Sequence, residues 1–204
     1  MNSVIVNGSS VTPSKILCVG RNYTEHIFEL GNEVPSEPVL FMKPNSALGT
    51  VLHSRAGGEA LHYESELAFI VTSGQFTAVG LGLDLTRRQL QSQLKEKGLP
   101  WERAKAFDGA ALFSEFVPVP KDISGLGLRL EIDGELRQEG GVRQMLNKPA
   151  DILRAIAAFA TLEDGDIVMT GTPSGVGEVI PGQTFHGSVL HEGRDLVAAH
   201  WQAA

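Results

Sequence analysis

The chain is poor in cysteine, and this excludes several classes of protein. Its 204 residues include one cysteine, Cys18, so no intrachain disulfide can form. A chain of this length buries enough surface to fold without one. A single cysteine is typical of a reducing compartment, and the apolar run around Cys18 predicts a buried side chain. No Cys/His spacing supports a zinc site.

Positive charge and long apolar runs are also scarce. The chain has 17 Lys and Arg against 24 Asp and Glu, a formal net charge of −7. Without a basic stripe, neither nucleic acid nor an anionic membrane is expected as a partner. No apolar stretch approaches the roughly 20 residues that span a membrane, and the N-terminus lacks a signal-peptide layout. We expect a cytoplasmic protein that needs a local positive site, such as a metal, to bind an anion.

Short strand-like runs dominate the pattern. The predicted strands are Val4–Val6, Lys15–Val19, Val39–Met42, His62–Val71, Ala78–Leu83, Glu115–Val119, Leu128–Asp133, Ile167–Thr170 and Thr184–Leu190. The predicted helices are Asn22–Leu30, Thr86–Lys97 and Pro149–Leu162, the last with Ile152, Ile156, Phe159 and Ala160 on a buried face. This predicts one β-rich α+β domain over residues 1–204, with residues 1–14 as a short N-terminal arm.

Glu64 and Glu66 lie in the predicted strand 62–71 and point to the same face, because side chains alternate along a strand. Their Cα atoms would be roughly 6.6 Å apart. Apolar neighbours on both faces indicate a buried strand, where two carboxylates repel each other and lose hydration. A hard divalent ion with oxygen ligands would compensate them. The alternative is an edge strand with both glutamates in water, which an E-x-E pattern alone favours.

Four further segments carry polar residues suited to chemistry. Asp84 ends a predicted strand, and its carboxylate could bind a metal or cap the helix that follows. Gln91 lies on that helix and would face the strand end if the first turn of the helix packs inward. His26 and Glu29 are neighbours on a helix, which suits an oriented general base or a plain solvated face. The loop 170–177 could present N–H groups to an anion or be a simple turn, and Lys105 alone predicts a snorkelling surface lysine.

Taken together and in this order, the segments resemble the fumarylacetoacetate hydrolase family, in particular its short single-domain members. The matching segments are GRNYTEH (20–26), PVLFMKP (38–44), HYESELAFIV (62–71), DLTRRQLQ (84–91), WERAKAFDG (101–109), DGELRQ (133–138), LEDGDIVMTGTPSGVG (162–177) and Pro181-Gly182. They run from about residue 15 to the C-terminus.

The resemblance implies a mixed-sheet, β-roll-like fold, a homodimer, and a Mg²⁺ or Mn²⁺ site. The implied metal ligands are Glu64, Glu66 and Asp84. The implied catalytic residues are His26 and Glu29 on a lid, with Lys105 and Gln91 near the reacting carbon. The implied substrate-binding residues are Thr172, for a carboxylate, with Arg21 and Lys43 near the same cleft.

The implied activity is metal-dependent hydrolysis of a C–C bond in an acylpyruvate-like 2-oxo acid. Alternatives on the same site are decarboxylation or tautomerisation of oxaloacetate and isomerisation of a hydroxy-dienoate; a non-catalytic metabolite-binding protein is a further alternative. The chain departs from the family between Val71 and Ala78, where a longer excursion with a helix is usual. Gln89 and Gln183 replace typical acidic residues, and Gly141-Val142-Arg143 is also unusual.

Overall fold

A central mixed sheet and a second antiparallel sheet form the body of the protein, which we describe from a computed structural model of all 204 residues. The strands are β1 (Val4–Val6), β2 (Ser9–Val11), β3 (Lys15–Gly20), β4 (Val39–Pro44), β5 (Arg55–Ala56), β6 (Glu59–Ala60), β7 (His62–Tyr63), β8 (Ser65–Thr72), β9 (Gln75–Asp84), β10 (Ala111–Phe113), β11 (Val117–Pro118), β12 (Leu126–Ile132), β13 (Glu135–Gly141), β14 (Ile167–Met169), β15 (Gly177–Glu178), β16 (Thr184–His191) and β17 (Arg194–Gln202). The helices are α1 (Thr24–Glu29), α2 (Arg88–Glu96), α3 (Glu102–Lys105) and α4 (Pro149–Ala157). The predicted β-rich α+β class is confirmed.

The central sheet has the strand order β10-β9-β8-β14-β3-β4, with β11 also paired to β9. It is mixed, because β14 runs parallel to β3 and antiparallel to β8. The middle strands are buried on both faces, as their nearly continuous apolar sequences predict. The site described below lies at one end of β8 and β9.

A two-residue turn joins β8 to β9. Thr72 pairs with Gln75, and both turn residues, Ser73 and Gly74, have positive φ angles of 50° and 71°. These angles fit the type I′ turn that the right-handed twist of a hairpin prefers. The short segment 72–77 therefore closes a regular hairpin, and no helix intervenes here.

The second sheet has the order β13-β12-β16-β17 and is antiparallel throughout. Its inner face packs on the central sheet, and β16 passes close to β9 at Gly187. A Cβ added to Gly187 would lie 2.1 Å from Leu81 Cδ2. The absence of a side chain therefore lets β16 contact β9 directly, and the core fills the space on either side of this contact.

Several predicted boundaries were wrong. The predicted strand 62–71 is interrupted at Glu64, so β7 pairs with β15 while β8 joins the central sheet. The last helix ends at Ala157, and Phe159, predicted to be buried, is 57% exposed. Strands β2, β5, β6, β10, β13, β15 and β17 were not predicted. No helix has the length and apolar content needed to cross a membrane.

Candidate metal centre

Three carboxylates meet at the end of the β8–β9 hairpin. Glu64 lies in the break before β8, Glu66 is the second residue of β8, and Asp84 ends β9. The antiparallel register joins them, because the Asp84 amide donates to the Glu64 carbonyl at 2.8 Å. Each offers an oxygen within 4.8 Å of the others, and all three residues are buried. The hairpin thus places three acids around one point.

Lys105, the last residue of α3, neutralises two of these acids. Its Nζ donates to Glu64 Oε2 and to Asp84 Oδ2, both at 2.8 Å, and to Thr86 Oγ1 at 2.6 Å. Burial opposes the charge on this lysine, but the two carboxylates outweigh burial and raise the pKa of Lys105. Lys105 is therefore a buried ammonium ion, and the snorkelling surface role that its local sequence indicated is wrong.

Lys43, from β4, lies behind Lys105 and outside the cavity wall. It is fully buried and donates to the Lys105 carbonyl and, at 3.3 Å, to the Ala110 carbonyl. Its Nζ is 2.8 Å from Asp84 Oδ1 but at an angle unsuited to a hydrogen bond, so this contact is electrostatic. In this structure Lys43 contacts the backbone and side chain of site residues, and the contact with substrate predicted for it stays a prediction.

Arg88, the first residue of α2, covers the outer side of Glu64. Its guanidinium forms an ion pair with Glu64 Oε1 and donates to Gln91 Oε1 at 2.8 Å. Burial raises the pKa of Glu64, but Lys105 and Arg88 together hold it well below its usual range. Glu64 is consequently ionised and paired on both oxygens.

Glu66 differs from the other two acids because it forms no ion pair. Its Oε2 accepts one hydrogen bond, at 2.6 Å, from the Gly171 amide. Burial, together with repulsion from Asp84 and Glu64, raises the pKa of Glu66 well above its usual range. Gly171 has a φ of 93°, and a Cβ there would lie 2.8 Å from Asn22 Cβ, so only glycine permits this close approach.

The donor set fits a hard divalent cation. Oxygen ligands from two or three carboxylates, with open positions for other ligands, are what Mg²⁺ or Mn²⁺ prefers. Glu66 supplies the evidence from the structure itself, because it is a buried carboxylate without an ion pair, and burial and the neighbouring acids outweigh the favourable effects of Lys105 and the Gly171 amide on its charge. Lys105 competes with an ion for Glu64 and Asp84, since it already contacts an oxygen of each.

His26 and Glu29 lie on α1, which covers one side of the cavity. His26 Nδ1 is 3.1 Å from Glu29 Oε2, and Glu29 Oε1 accepts a hydrogen bond from the Gly175 amide at 2.9 Å. Glu29 thereby orients the imidazole and ties α1 to the loop 170–177. A carboxylate on Nδ1 leaves Nε2 free to exchange a proton, as the two residues' spacing predicted.

A cavity lies between α1, α2 and the acid cluster. The residues that line it are Val19, Gly20, Arg21, His26, Leu30, Asn32, Phe41, Glu64, Glu66, Asp84, Arg88, Gln91, Lys95, Trp101, Lys105 and Thr172. Eight predicted site residues therefore share one cavity, while Glu29 and Lys43 stand behind its wall. Arg21 has a φ of 55°, an uncommon conformation for an arginine, and forms no ion pair within the chain.

Gln138 joins the loop 170–177 to β8. Its Oε1 accepts from the Ser65 amide at 2.9 Å, and its Nε2 donates to Thr172 Oγ1 at 2.8 Å and to the Pro173 carbonyl at 2.9 Å. Thr172 in turn donates to the Ser65 carbonyl at 2.8 Å. This network fixes Thr172 beside the acids. Sequence reasoning missed the role of Gln138, although it quoted the segment that contains it.

Arg88 and Lys95 are the main cavity residues that sequence reasoning missed. Both lie on α2 with Gln91, at spacings that put them on one helical face, and this was the available signal. Lys95 Nζ donates to Asn32 Oδ1 at 2.6 Å, so α2 also contacts the segment that follows α1. Arg21, Arg88 and Lys95 all line the cavity, so three cations are grouped here. Burial, then repulsion from Arg21 and Arg88, lowers the pKa of Lys95.

Fold and site together define an enzyme with a carboxylate cluster at the end of a β-hairpin. The family model for the fumarylacetoacetate (FAA) hydrolase C-terminal domain matches residues 15–203. The chain therefore belongs to the fumarylacetoacetate hydrolase family, as its motifs predicted.

Three relatives illustrate the similarity. Oxaloacetate tautomerase YcgM of Escherichia coli (strain K12) is 40% identical over 200 residues, covering 90% of each chain. The mitochondrial oxaloacetate decarboxylase of Dictyostelium discoideum is 38% identical over 191 residues, covering 85% of this chain and 88% of the relative. The crystal structure of fumarylpyruvate hydrolase from Pseudomonas aeruginosa in complex with Mn²⁺ and pyruvate has a TM-score of 0.88 and 30% identity, covering 100% of this chain and 95% of the other.

Proposed function

We propose that this chain is a divalent-metal-dependent oxaloacetate tautomerase, which interconverts the enol and keto forms of that 2-oxo acid. The observation that carries the proposal is a cavity with a carboxylate cluster at its base and three grouped cations, Arg21, Arg88 and Lys95, in its wall. Relatives at 38–40% identity that bear the names oxaloacetate tautomerase and oxaloacetate decarboxylase support it. This ranks tautomerisation above the acylpyruvate hydrolysis implied by the motifs.

Glu64, Glu66 and Asp84 would hold Mg²⁺ or Mn²⁺. When bound there, the ion supplies positive charge beside the 2-oxo oxygen and its neighbouring carboxylate. An Mn²⁺ complex of the related fumarylpyruvate hydrolase supports this class of ion.

The grouped cations suit the second carboxylate of oxaloacetate. Arg21 has no ion-pair partner in the chain, and Lys95 is held near two arginines that disfavour its charge. A carboxylate placed among them relieves this repulsion and gains charge-assisted hydrogen bonds. A 2-oxo acid with an uncharged distal end would leave Arg21 without an ion-pair partner.

Tautomerisation moves one proton between carbon 3 and the oxygen on carbon 2. His26 lines the cavity, and Glu29 on its Nδ1 leaves Nε2 free to take the proton from carbon 3 and deliver it to the oxygen on carbon 2, or to carry it in the opposite direction. Lys105 presents a buried ammonium group that stabilises negative charge on the enolate oxygen. The contacts from Glu29 to Gly175 and from Lys95 to Asn32 hold α1 and its following segment over the cavity, which limits access of water.

The test is a comparison of substrates by proton nuclear magnetic resonance. Enzyme reconstituted with Mg²⁺ or Mn²⁺ should speed the approach of enol-oxaloacetate to the keto–enol equilibrium and the exchange of its carbon 3 protons with D₂O. Both effects should disappear after chelation and return when the metal is restored. An enzyme that leaves both rates at the metal-only background would overturn the proposal.

Hydrolysis of an acylpyruvate is the second candidate, and the His26–Glu29 pair favours it because an oriented imidazole can also activate water. The fold shared with fumarylpyruvate hydrolase adds support. The same assay separates the two, since hydrolysis releases pyruvate and a carboxylic acid from acetylpyruvate or fumarylpyruvate. Binding of all these acids without any turnover would instead support the metabolite-binding alternative.

A further inference from the structure

The loop 170–177 holds one buried amide that has no hydrogen-bond partner within the chain. Thr172 is 2% exposed and lines the cavity, yet its N–H donates to no backbone or side-chain acceptor. The two amides before it are both used, since Thr170 donates to a β8 carbonyl at 3.1 Å and Gly171 donates to Glu66 at 2.6 Å. A buried N–H without an acceptor costs free energy. The Thr172 amide therefore indicates a ligand with acceptor oxygens.

The hydroxyl of the same residue is already committed. Its one proton goes to the Ser65 carbonyl at 2.8 Å, and its oxygen accepts from Gln138 Nε2 at 2.8 Å. A hydroxyl carries one proton and two lone pairs, so this hydroxyl can only accept a further hydrogen bond. It could donate to an anion only by giving up the Ser65 carbonyl. The amide is the group of Thr172 that is free to hold an anion.

Gln138 keeps the hydroxyl in this state. The Ser65 amide donates to Oε1 of Gln138 and the Pro173 carbonyl accepts from Nε2, which settles which end of the side-chain amide is oxygen and which is nitrogen. The nitrogen therefore faces Thr172, whose oxygen must accept. Gln138 is 1% exposed and does not line the cavity. It can act on a bound ligand only through the loop residues that it holds.

The Gly171 amide is held independently of Gln138. The Thr170 hydroxyl donates to a β8 carbonyl at 2.9 Å, and the Thr170 carbonyl accepts from Asn22 Nδ2 at 2.8 Å. These contacts fix the backbone next to Gly171, and hence its hydrogen bond to Glu66. Loss of the Gln138 side chain should therefore release the later part of the loop and leave Glu66 in place.

We propose that Gln138 is a positioning residue that reserves the Thr172 amide for the substrate carboxylate next to the 2-oxo group. This role rests on the proposed function, since it concerns the end of the 2-oxo acid that the metal also binds. The Thr172 amide follows directly after the Gly171 amide that contacts Glu66, so an anion on it lies beside the acid cluster. The three grouped cations remain for the distal carboxylate.

Oxalate is the probe for the amide, because it has a carboxylate next to a second carbonyl carbon, as a 2-oxo acid has. In proton–nitrogen nuclear magnetic resonance of the Mg²⁺-loaded protein, oxalate should shift the Thr172 amide proton downfield. The Gly171 amide proton, already bound to Glu66, should move less. A Thr172 amide signal that does not respond to saturating oxalate would overturn the proposal.

Calorimetry with oxalate tests Gln138. Gln138→Met keeps the side-chain length but removes three hydrogen bonds, and it should weaken oxalate binding to the Mg²⁺-loaded protein about tenfold. Mg²⁺ affinity should stay at the wild-type value. In the tautomerase assay KM should rise while kcat stays within about threefold, because the carboxylate is held alike in ground and transition states. Gln144→Met, at an exposed glutamine, is the matched control and should change none of these values.

Gln138→Glu is the second variant if Gln138→Met does not fold. It keeps an acceptor for the Ser65 amide and loses the donor to Thr172, so it should weaken oxalate binding without weakening Mg²⁺ binding. Wild-type oxalate affinity in the folded variants, or an equal loss of Mg²⁺ and oxalate affinity, would overturn the role of Gln138. Oxalate binding needs no turnover, so a protein that passes these tests without tautomerase activity contradicts the proposed function alone.

Discussion

Two buried carboxylates beside the central sheet differ in how many hydrogen bonds they accept from the rest of the chain. Asp166, just before β14, accepts five hydrogen bonds, from the Ser14 amide and hydroxyl, the Lys15 amide and ammonium, and the Glu163 amide. Glu66 accepts one, from Gly171. The hydrogen bonds of Asp166 all come from the chain itself, so this carboxylate stabilises the fold. Glu66 has no ion-pair partner within the chain, and this marks it as part of a binding site.

The largest expected effect comes from neutralising Glu66, the acid that has no ion pair. Glu66→Gln should reduce metal affinity by more than about 100-fold, because even outer groups that orient ligands contribute 10–100-fold. Metal-dependent turnover should fall by roughly 10²–10³ or more. Titration calorimetry and the tautomerase assay measure the two losses.

The same change should leave the metal-free fold as stable as the wild type or more so, since burial and two neighbouring acids penalise the charge of Glu66. Urea denaturation in a chelator measures this. Glu96→Gln, which removes an exposed charge from α2, is the control and should alter neither metal affinity nor stability. A clear loss of stability in Glu66→Gln would contradict the contrast drawn with Asp166.

Removing the Asp166 carboxylate should lower the stability of the fold and leave the metal affinity unchanged. Asp166→Ala leaves the part-buried donors of Ser14, Lys15 and Glu163 without an acceptor, and we expect a loss of about 1–3 kcal/mol in unfolding free energy. Metal affinity should stay unchanged in the folded fraction. Asp164→Asn, at an exposed neighbouring position, should change stability by less than about 1 kcal/mol. Equal losses in the two variants would remove the special role of Asp166.

Replacing Lys105, which competes with the metal for Glu64 and Asp84, should have a smaller effect. Lys105→Met removes the ammonium that contacts Glu64 and Asp84, so the affinity for Mn²⁺ should rise about tenfold. Turnover should nevertheless fall, because the cation that faces the enolate is lost. Calorimetry beside the exposed-site control Lys97→Met gives the comparison. Weaker Mn²⁺ binding in Lys105→Met would show that this lysine supports the ion and does not compete with it.

The smallest effect is a dependence on pH. Burial raises the pKa of Asp166, but its hydrogen bonds, led by that from Lys15, outweigh burial and lower it. Its stabilisation is therefore fully present above the unfolded-state pKa of about 3.9 and is lost as pH falls through the lower folded-state value. The stability gap between wild type and Asp166→Ala should narrow in acid. A gap that widens below pH 4 would contradict this sign.

Strand alternation put Glu64 and Glu66 on one face but did not by itself favour a buried site. Their grouping with Asp84 came from the resemblance of the motifs to the fumarylacetoacetate hydrolase family. The sequence could not predict the break at Glu64, which arises because residues 62–63 pair with β15, far away in the chain. Strand β17 was missed for a similar reason, since its polar, alanine-containing sequence is a strand only because β16 offers it an edge.

The cations were harder to predict than the acids. Arg87 and Arg88 are adjacent and alike in sequence, yet Arg87 pairs with Glu59 and Arg88 with Glu64. Only the position of α2 decides between them. Buried lysines such as Lys43 and Lys105 look like surface residues until the carboxylates they meet are known, because burial of a charge depends on its partner.

The tight turn at Ser73 and Gly74 bears on the order in which the centre is assembled. All three acids belong to the segment 62–84, and a hairpin of this kind closes within about 1–10 μs. Lys105 and Gly171 lie later in the chain and must be recruited over longer loops, which is slower. The hairpin therefore brings its negative charges together before Lys105 and Gly171 join them, and a proton or a dication captured early would ease that step.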